Sequence, residues 1–197
     1  NEDTGKNYSE KIFTGPVHLQ LRNSLNYFKT NIIEEHVLKT NKKPEAIRFF
    51  NYPFEALEEA LVNAAYHKRY ERDNTIEVHI FPDRIEILNF PGPLPPIDNN
   101  MLQKERILAR DYRNRKLGDF FKELRLTEGR GTGIPLIRRS LEENGSPPPV
   151  FETDEDRNYF LCIIKKHTIF PKKENKGAKE GAEDKKLQVK SLSDIDT

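Results

Sequence analysis

Pro53-Phe-Glu-Ala-Leu-Glu-Glu-Ala-Leu-Val-Asn-Ala-Ala-Tyr66 is the stretch whose reading decides the fold. Proline opens it, where a missing N–H costs nothing because the first turn of a helix leaves its donors unpaired. Phe54, Leu57, Leu61 and Ala64 recur at steps of three and four, which predicts one apolar face of a helix from about Pro53 to Tyr66. Glu55, Glu59, Asn63 and His67 are spaced by four and form a polar stripe opposite that face. Within the stripe a carboxylate and a neutral amide, Glu59 and Asn63, stand one turn apart. Asn is a poor residue for a helix interior, because its side chain competes for backbone hydrogen bonds, and its presence favours a task for Asn63 over a plain solvated face.

Upstream, Val17, Leu21, Leu25, Phe28 and Ile32 keep helical spacing behind Gly15-Pro16, and predict a helix over Val17 to Ile32. Ile47 to Phe50 is a short apolar run. Downstream, Thr75 to Phe81 and Arg84 to Leu88 alternate apolar and polar residues around Pro82-Asp83, the pattern of an antiparallel hairpin. Asn89-Phe-Pro-Gly-Pro-Leu-Pro-Pro is too rich in proline for regular structure, and Asp98 to Tyr112 is polar and weakly periodic, so a mobile loop is expected. Leu117, Phe120, Phe121 and Leu124 predict a third helix. Ile134, Ile137 and Leu141 predict a fourth, ending at Asn144-Gly145 by C-capping. Val150 to Thr153 and Tyr159 to Ile164 are the closing strands. From Pro171 onward, seven Lys face six Asp or Glu with few apolar residues, a composition that does not repay ordering entropy, so a linker or disordered tail is expected.

A second chemical signal is Glu128-Gly-Arg-Gly-Thr-Gly-Ile134, alternating glycines that open directly onto the fourth helix. Glycines let the backbone approach an anion closely, and the unpaired N–H groups of a first helical turn attract phosphate. Composition narrows the classes. The chain has 197 residues, about one domain's worth, and Lys+Arg 33 against Asp+Glu 32 leaves +1, too little to grip a nucleic-acid backbone unaided. The single cysteine, Cys162 in an apolar run, excludes an internal disulfide and a multi-cysteine zinc site, and fits a core residue in a reducing cytoplasm. No apolar run approaches the roughly 18 residues a membrane span needs, so a cytoplasmic protein without membrane contact is expected. The chain begins Asn-Glu-Asp-Thr-Gly without an initiator Met and is expected to be a piece of something longer.

Taken together, from about Ile47 to Lys166, these elements resemble the GHKL class, the ATP site shared by gyrase, histidine kinases and MutL. The stretches YPFEALEEALVNAAYHKRY, DRIEILNFPGPLP, DYRNRKLGDFF and EGRGTGIPLIRRSLEENGSPPPVF are similar to the version carried by prokaryotic Schlafen AlbA-type regulators, often labelled helicase-related. The resemblance implies an α+β two-layer sandwich with a mixed, mostly antiparallel sheet and helices on one face. It implies a lead-in over 1–46, a GHKL-like ATP-binding domain over 47–168 and a tail over 169–197. Glu59 is then the general base for a water attacking the γ-phosphate, and Asn63 a Mg²⁺ ligand. Gly129, Arg130, Gly131, Thr132 and Gly133 wrap the phosphates. Asn89 stands where the wider class has an Asp that reads the adenine amino group. Pro91 occupies the usual first-box glycine, with Gly92 one place later.

The implied cofactors are ATP and Mg²⁺, and the implied role is an ATP-binding regulatory domain of a DNA-binding transcriptional regulator that touches DNA through domains outside this chain. ATP turnover and homo-oligomer formation are left open. The alternative, motivated by Asn89 and Pro91, is a non-catalytic interaction domain that keeps the fold without ATP. His18-Leu-Gln-Leu-Arg-Asn-Ser-Leu25 lacks the acid that follows a phosphoacceptor histidine and reads as plain helix.

Overall fold

The computed structural model describes residues 8–39, 46–105, 107, 111–126, 133–170 and 184–189. After β1 (Tyr8–Phe13) comes α1 (Val17–Tyr27), continued by a π-helical turn over Phe28–Ile32. Pro16 supplies the N-cap with φ −56°, and Gly15 precedes it at φ +96°, a conformation that favours glycine. All five residues of the predicted apolar stripe, Val17, Leu21, Leu25, Phe28 and Ile32, are buried. Next, β2 (Glu35–Leu38) and β3 (Ile47–Phe50) pair antiparallel as a separate two-stranded sheet. β2 was not foreseen, since Glu35-His-Val-Leu38 has neither clean alternation nor a turn signal. Asn51 ties this sheet to the π turn: its Nδ2 donates to the Ile32 carbonyl at 2.8 Å while its Oδ1 accepts from the Glu34 and Tyr52 amides.

α2 (Phe54–His67) begins on Pro53 as N-cap, one residue later than the sequence suggests. Contacts with α1, with β5 (Arg84–Asn89), with α4 (Arg115–Glu123) and with α5 (Gly133–Glu143) surround it. Enclosure on several sides explains why Val62, Ala65 and Glu59 are buried along with Leu57, Leu61 and Ala64. The polar stripe is therefore not a solvated face: of its members Glu55 is exposed, Asn63 and His67 are half-buried and Glu59 is buried.

β4 (Ile76–Ile80) and β5 form the predicted hairpin, with Ile80 opposite Ile85. β6 (Val150–Glu152) and β7 (Phe160–Lys165) complete that side, and β8 (Asp184–Val189) completes the other. The six strands run β1-β8-β4-β5-β7-β6, with β1 and β8 parallel and every other pair antiparallel. Register places Val78, Ile87, Cys162 and Phe151 in one row across four strands, all buried, and the neighbouring row of Ile85 and Ile164 is buried too. The opposite face presents Glu77, His79, Glu86 and Arg84. An α+β sandwich results, a mixed sheet with its apolar face under helices.

Two expectations need correction. The charged tail is not without regular structure throughout, because Asp184–Val189 enters the sheet between β1 and β4, pairing Leu187 with Val78 and Val189 with Ile76. Two ladders of backbone hydrogen bonds supply what its composition does not. The weakly periodic stretch after Asp98 also contains a short helix, α3 (Asn99–Leu102), capped by the Asp98 carboxylate accepting from the Met101 amide at 2.7 Å.

α5 ends as its sequence predicts. Gly145 takes φ +72°, its N–H donates to the Glu142 carbonyl at 2.9 Å, and the Ser146 N–H donates to the Leu141 carbonyl at 2.8 Å, the pair of bonds of a Schellman cap. Asn144, beside it, exchanges hydrogen bonds with both backbone groups of Phe50 and so fastens α5 to β3.

Candidate functional site

A cavity of about 150 Å³ opens between α2, the end of β5 and the start of α5. Ala60, Asn63 and His67 line it from α2, at the steps of three and four that put them on one face. Gly133, Ile134 and Ile137 come from α5, Phe160 and Cys162 from β7, and Pro91 to Leu94 from the proline-rich loop. Asp111 and Tyr112 stand on the remaining wall. The walls are mostly apolar, with few polar groups, which is the usual make-up of a small-molecule site.

Three of the predicted residues converge. Asn63 reaches the cavity and its Nδ2 donates to Glu59 Oε1 at 3.3 Å, as stacking one turn apart requires. Gly133, the last of the alternating glycines, lies against the Asn63 amide so closely that an added Cβ would sit 3.0 Å from Oδ1 and nearer still to Nδ2. The two chemical signals, 70 residues apart in the chain, thus meet side by side. Asn89 is only 1% exposed, and its Oδ1 finds no hydrogen-bond partner among the described residues although it lines the cavity. An orphaned buried acceptor is costly, about 1 to 3 kcal/mol.

Other predicted residues sit differently. Glu59 is buried and lies behind Asn63, outside the cavity lining. Gly92 does line the cavity, yet its lack of a side chain also serves the fold: its N–H donates to the Arg157 carbonyl at 2.8 Å, and a Cβ would stand 2.7 Å from Thr153 Oγ1. Gly129, Arg130, Gly131 and Thr132 fall outside the described residues. His18 packs edge-on against Phe120 at 5.6 Å.

Sequence reasoning missed the contacts of Tyr112, Arg113 and Asn114. Arg113 donates to the His67 carbonyl at 2.5 Å and the Gly92 carbonyl at 3.3 Å. Tyr112 stacks on Tyr66 at 5.2 Å. A lone Arg or Asn in a polar loop carries no periodic signal, so nothing local announces these contacts.

His67 is held neutral. Burial, with the Arg113 guanidinium beside it, lowers its pKa to about 4. An unfolded histidine binds its proton near pH 6.5, so between about pH 6.5 and 4 the unfolded chain holds the extra proton. The stability contribution is therefore complete above pH 6.5 and is lost as pH falls toward 4, by up to about 3 kcal/mol. Melting from pH 7 to 4.5 is expected to be less steep for His67→Gln than for the unaltered protein. An identical slope assigns the acid sensitivity to other groups. Burial likewise raises the Cys162 thiol to about 12, leaving it inert in the cavity wall. Among the described residues, no cluster of three or more His, Cys, Asp or Glu could hold a metal by itself, and no helix is long and apolar enough to cross a membrane.

With this geometry in hand, comparison places the chain. Residues 73–164 match the family model described as putative ATP-dependent DNA helicase recG C-terminal. That span includes Asn89, Gly92 and the glycine run and leaves out α2 with Glu59 and Asn63. The crystal structure of the DIP2311 protein from Corynebacterium diphtheriae superposes with a TM-score of 0.60 over 82% of this chain, at 18% identity. The chain spans 35% of that protein's length, and at such identity the likeness concerns the fold alone. No curated protein matches the sequence. These findings associate the chain with the GHKL, or HATPase-like, domains and so with a nucleotide-binding family in general terms.

Proposed function

We propose that this chain is an ATP-binding regulatory module with the Bergerat arrangement of the GHKL class, working with Mg²⁺ inside a DNA-binding transcriptional regulator of the Schlafen AlbA type. The nucleotide-binding unit spans 47–168, with 1–46 as lead-in and 169–197 as tail, and DNA is touched by domains outside this chain. The observation that carries the reading is the convergence of Asn63, Gly133 and the orphaned Asn89 Oδ1 on one apolar cavity. Such a cavity suits a planar base with an exocyclic amino group, which would supply the donor that Asn89 lacks.

Asn63 fits the cation. Its Nδ2 is engaged by Glu59, which leaves the Oδ1 lone pairs for a hard ion whose other ligands are phosphate oxygens and water. Bound there, Mg²⁺ would neutralise charge on the phosphates. The Glu59 carboxylate accepts from the Asn63 amide, and it is of the right type to orient and deprotonate an attacking water. Gly133 lets the start of α5 approach, and Gly129, Arg130, Gly131 and Thr132 are the residues assigned to the phosphates.

A thermal-shift titration with Mg²⁺ and ATP or ADP tests the reading. A ligand bound only by the folded state stabilises it by RT ln(1+[L]/Kd), about 2.7 kcal/mol at a hundredfold excess over Kd. No shift at millimolar nucleotide favours the alternative, an interaction domain that keeps the fold without ATP. Pro91 at the first glycine position and Glu59 outside the cavity lining are the features on that side. If nucleotide binds, Glu59→Ala is expected to leave binding largely intact and to abolish any hydrolysis, whereas Asn63→Ala weakens Mg²⁺-dependent binding about tenfold. Calorimetry and phosphate release read both, and undiminished turnover in Glu59→Ala removes that residue as base.

A further inference from the structure

The stretch Asp111-Tyr-Arg-Asn114 belongs to one of the matched signatures, yet the proposed site gives its polar side chains no task. Those of Arg113 and Asn114 turn to backbone carbonyls. Asn114 Nδ2 donates to the carbonyls of Tyr66 at 2.9 Å and Lys68 at 2.6 Å. Arg113 donates to those of His67 and Gly92. Tyr66, His67 and Lys68 close α2, where a helix leaves its last carbonyls without helical donors and where cationic donors also meet the negative end of its dipole. Gly92 lies in the proline-rich loop, on another wall of the cavity. One dipeptide therefore ties two walls together.

Asn114 forgoes something to do this. It is the N-cap residue of α4, a place where Asn commonly caps with its side chain, and it makes no such bond there. Neither Arg113 nor Asn114 lines the cavity. Asp111 and Tyr112 do, and the Tyr112 ring is stacked on Tyr66 and stands 6.0 Å from that of His67.

We infer that Arg113 and Asn114 are positioning residues that fasten the Asp111–Tyr112 wall to the end of α2 and to Gly92, and that they set how slowly a nucleotide leaves the cavity. This rests on the cavity being the nucleotide site proposed above. Because the pair acts through Tyr112 and Gly92 and not on the ligand, its loss speeds dissociation and leaves the association rate alone.

Hydrogen exchange of the ligand-free protein, and stopped-flow displacement of a fluorescent ATP analogue in Mg²⁺, test the two halves on Asn114→Ala. In Asn114→Ala, exchange over 111–117 is expected to rise about tenfold while β4, β5 and β7 stay protected. The analogue is expected to leave about tenfold faster at an unchanged association rate, a loss of about 1.4 kcal/mol. Arg113→Gln, which keeps a donor, shifts both readouts in the same direction by less, and decides the matter if Asn114→Ala does not fold. Unchanged exchange overturns the fastening. Faster exchange with an unchanged dissociation rate overturns its role in retention. If the unaltered protein binds no nucleotide, the proposed function falls and retention with it, while the exchange arm still judges the fastening.

Discussion

Asn89→Leu is expected to raise the melting temperature of the ligand-free protein and to lower its affinity for Mg²⁺-ATP about tenfold or more. Asn89 ends β5 on the buried face of the sheet, in register with Phe160, and its Oδ1 has no donor among the described residues. Leaving a buried acceptor unsatisfied costs about 1 to 3 kcal/mol, and an apolar side chain of similar size removes that cost. For a chain of this size the gain corresponds to roughly 2 to 12 °C. The same change removes the acceptor offered to a base amino group, so stability and binding move in opposite directions, as they do where a site is kept at the expense of the fold.

Asn89→Asp separates base reading from packing. A carboxylate restores charge assistance, so ATP is expected to bind about five- to tenfold more tightly and GTP more weakly. The unaltered Asn, whose amino group can donate to the guanine O6 as its Oδ1 accepts from adenine, discriminates poorly between the two. Titrating both nucleotides against all three proteins decides this. A lower melting temperature for Asn89→Leu together with unchanged affinities would show that Oδ1 is satisfied and that the base is read elsewhere.

Gly133→Ala is expected to cost about tenfold in Mg²⁺-dependent affinity, as much as Asn63→Ala, while costing only about 1 kcal/mol in stability. The new Cβ meets the end of a flexible side chain, so the Asn63 amide turns aside and the fold is not forced apart. Turning aside breaks the bond to Glu59 and misaims the one amide oxygen suited to the cation. A double-mutant cycle measures this directly. In an Asn63→Ala background the obstructed side chain is already gone, and Gly133→Ala then adds little to the loss of affinity. Fully additive losses would mean that Gly133 matters for some reason other than Asn63.

Much of the architecture is legible in local patterns. The apolar steps of α1, the alternation of β4 and β5, and Asn144-Gly145 at the end of α5 act over a few residues, and each element follows its signal. The candidate site is half legible. Glu59, Asn63 and the glycine run stand out because a carboxylate and amide at helical spacing, and glycines opening onto a helix, are unusual by themselves. Arg113 and Asn114 do not stand out, because their partners are backbone carbonyls about 20 to 50 positions away, and a carbonyl carries no sequence identity.

The sequence by itself determined the kinds and order of most elements, the stacking of Glu59 on Asn63, and the glycine cap of α5, since helix period, strand alternation and capping are short-range properties of the chain. Only the tertiary structure decided that Glu59 is buried behind Asn63, that Gly133 meets the Asn63 amide, that Asn89 keeps an orphaned acceptor, and that a charged tail supplies a strand between β1 and β4. Those facts depend on which elements pack together. Packing is settled by burial and strand pairing between segments far apart in the chain, where one polar group's surroundings come from four or five different elements at once.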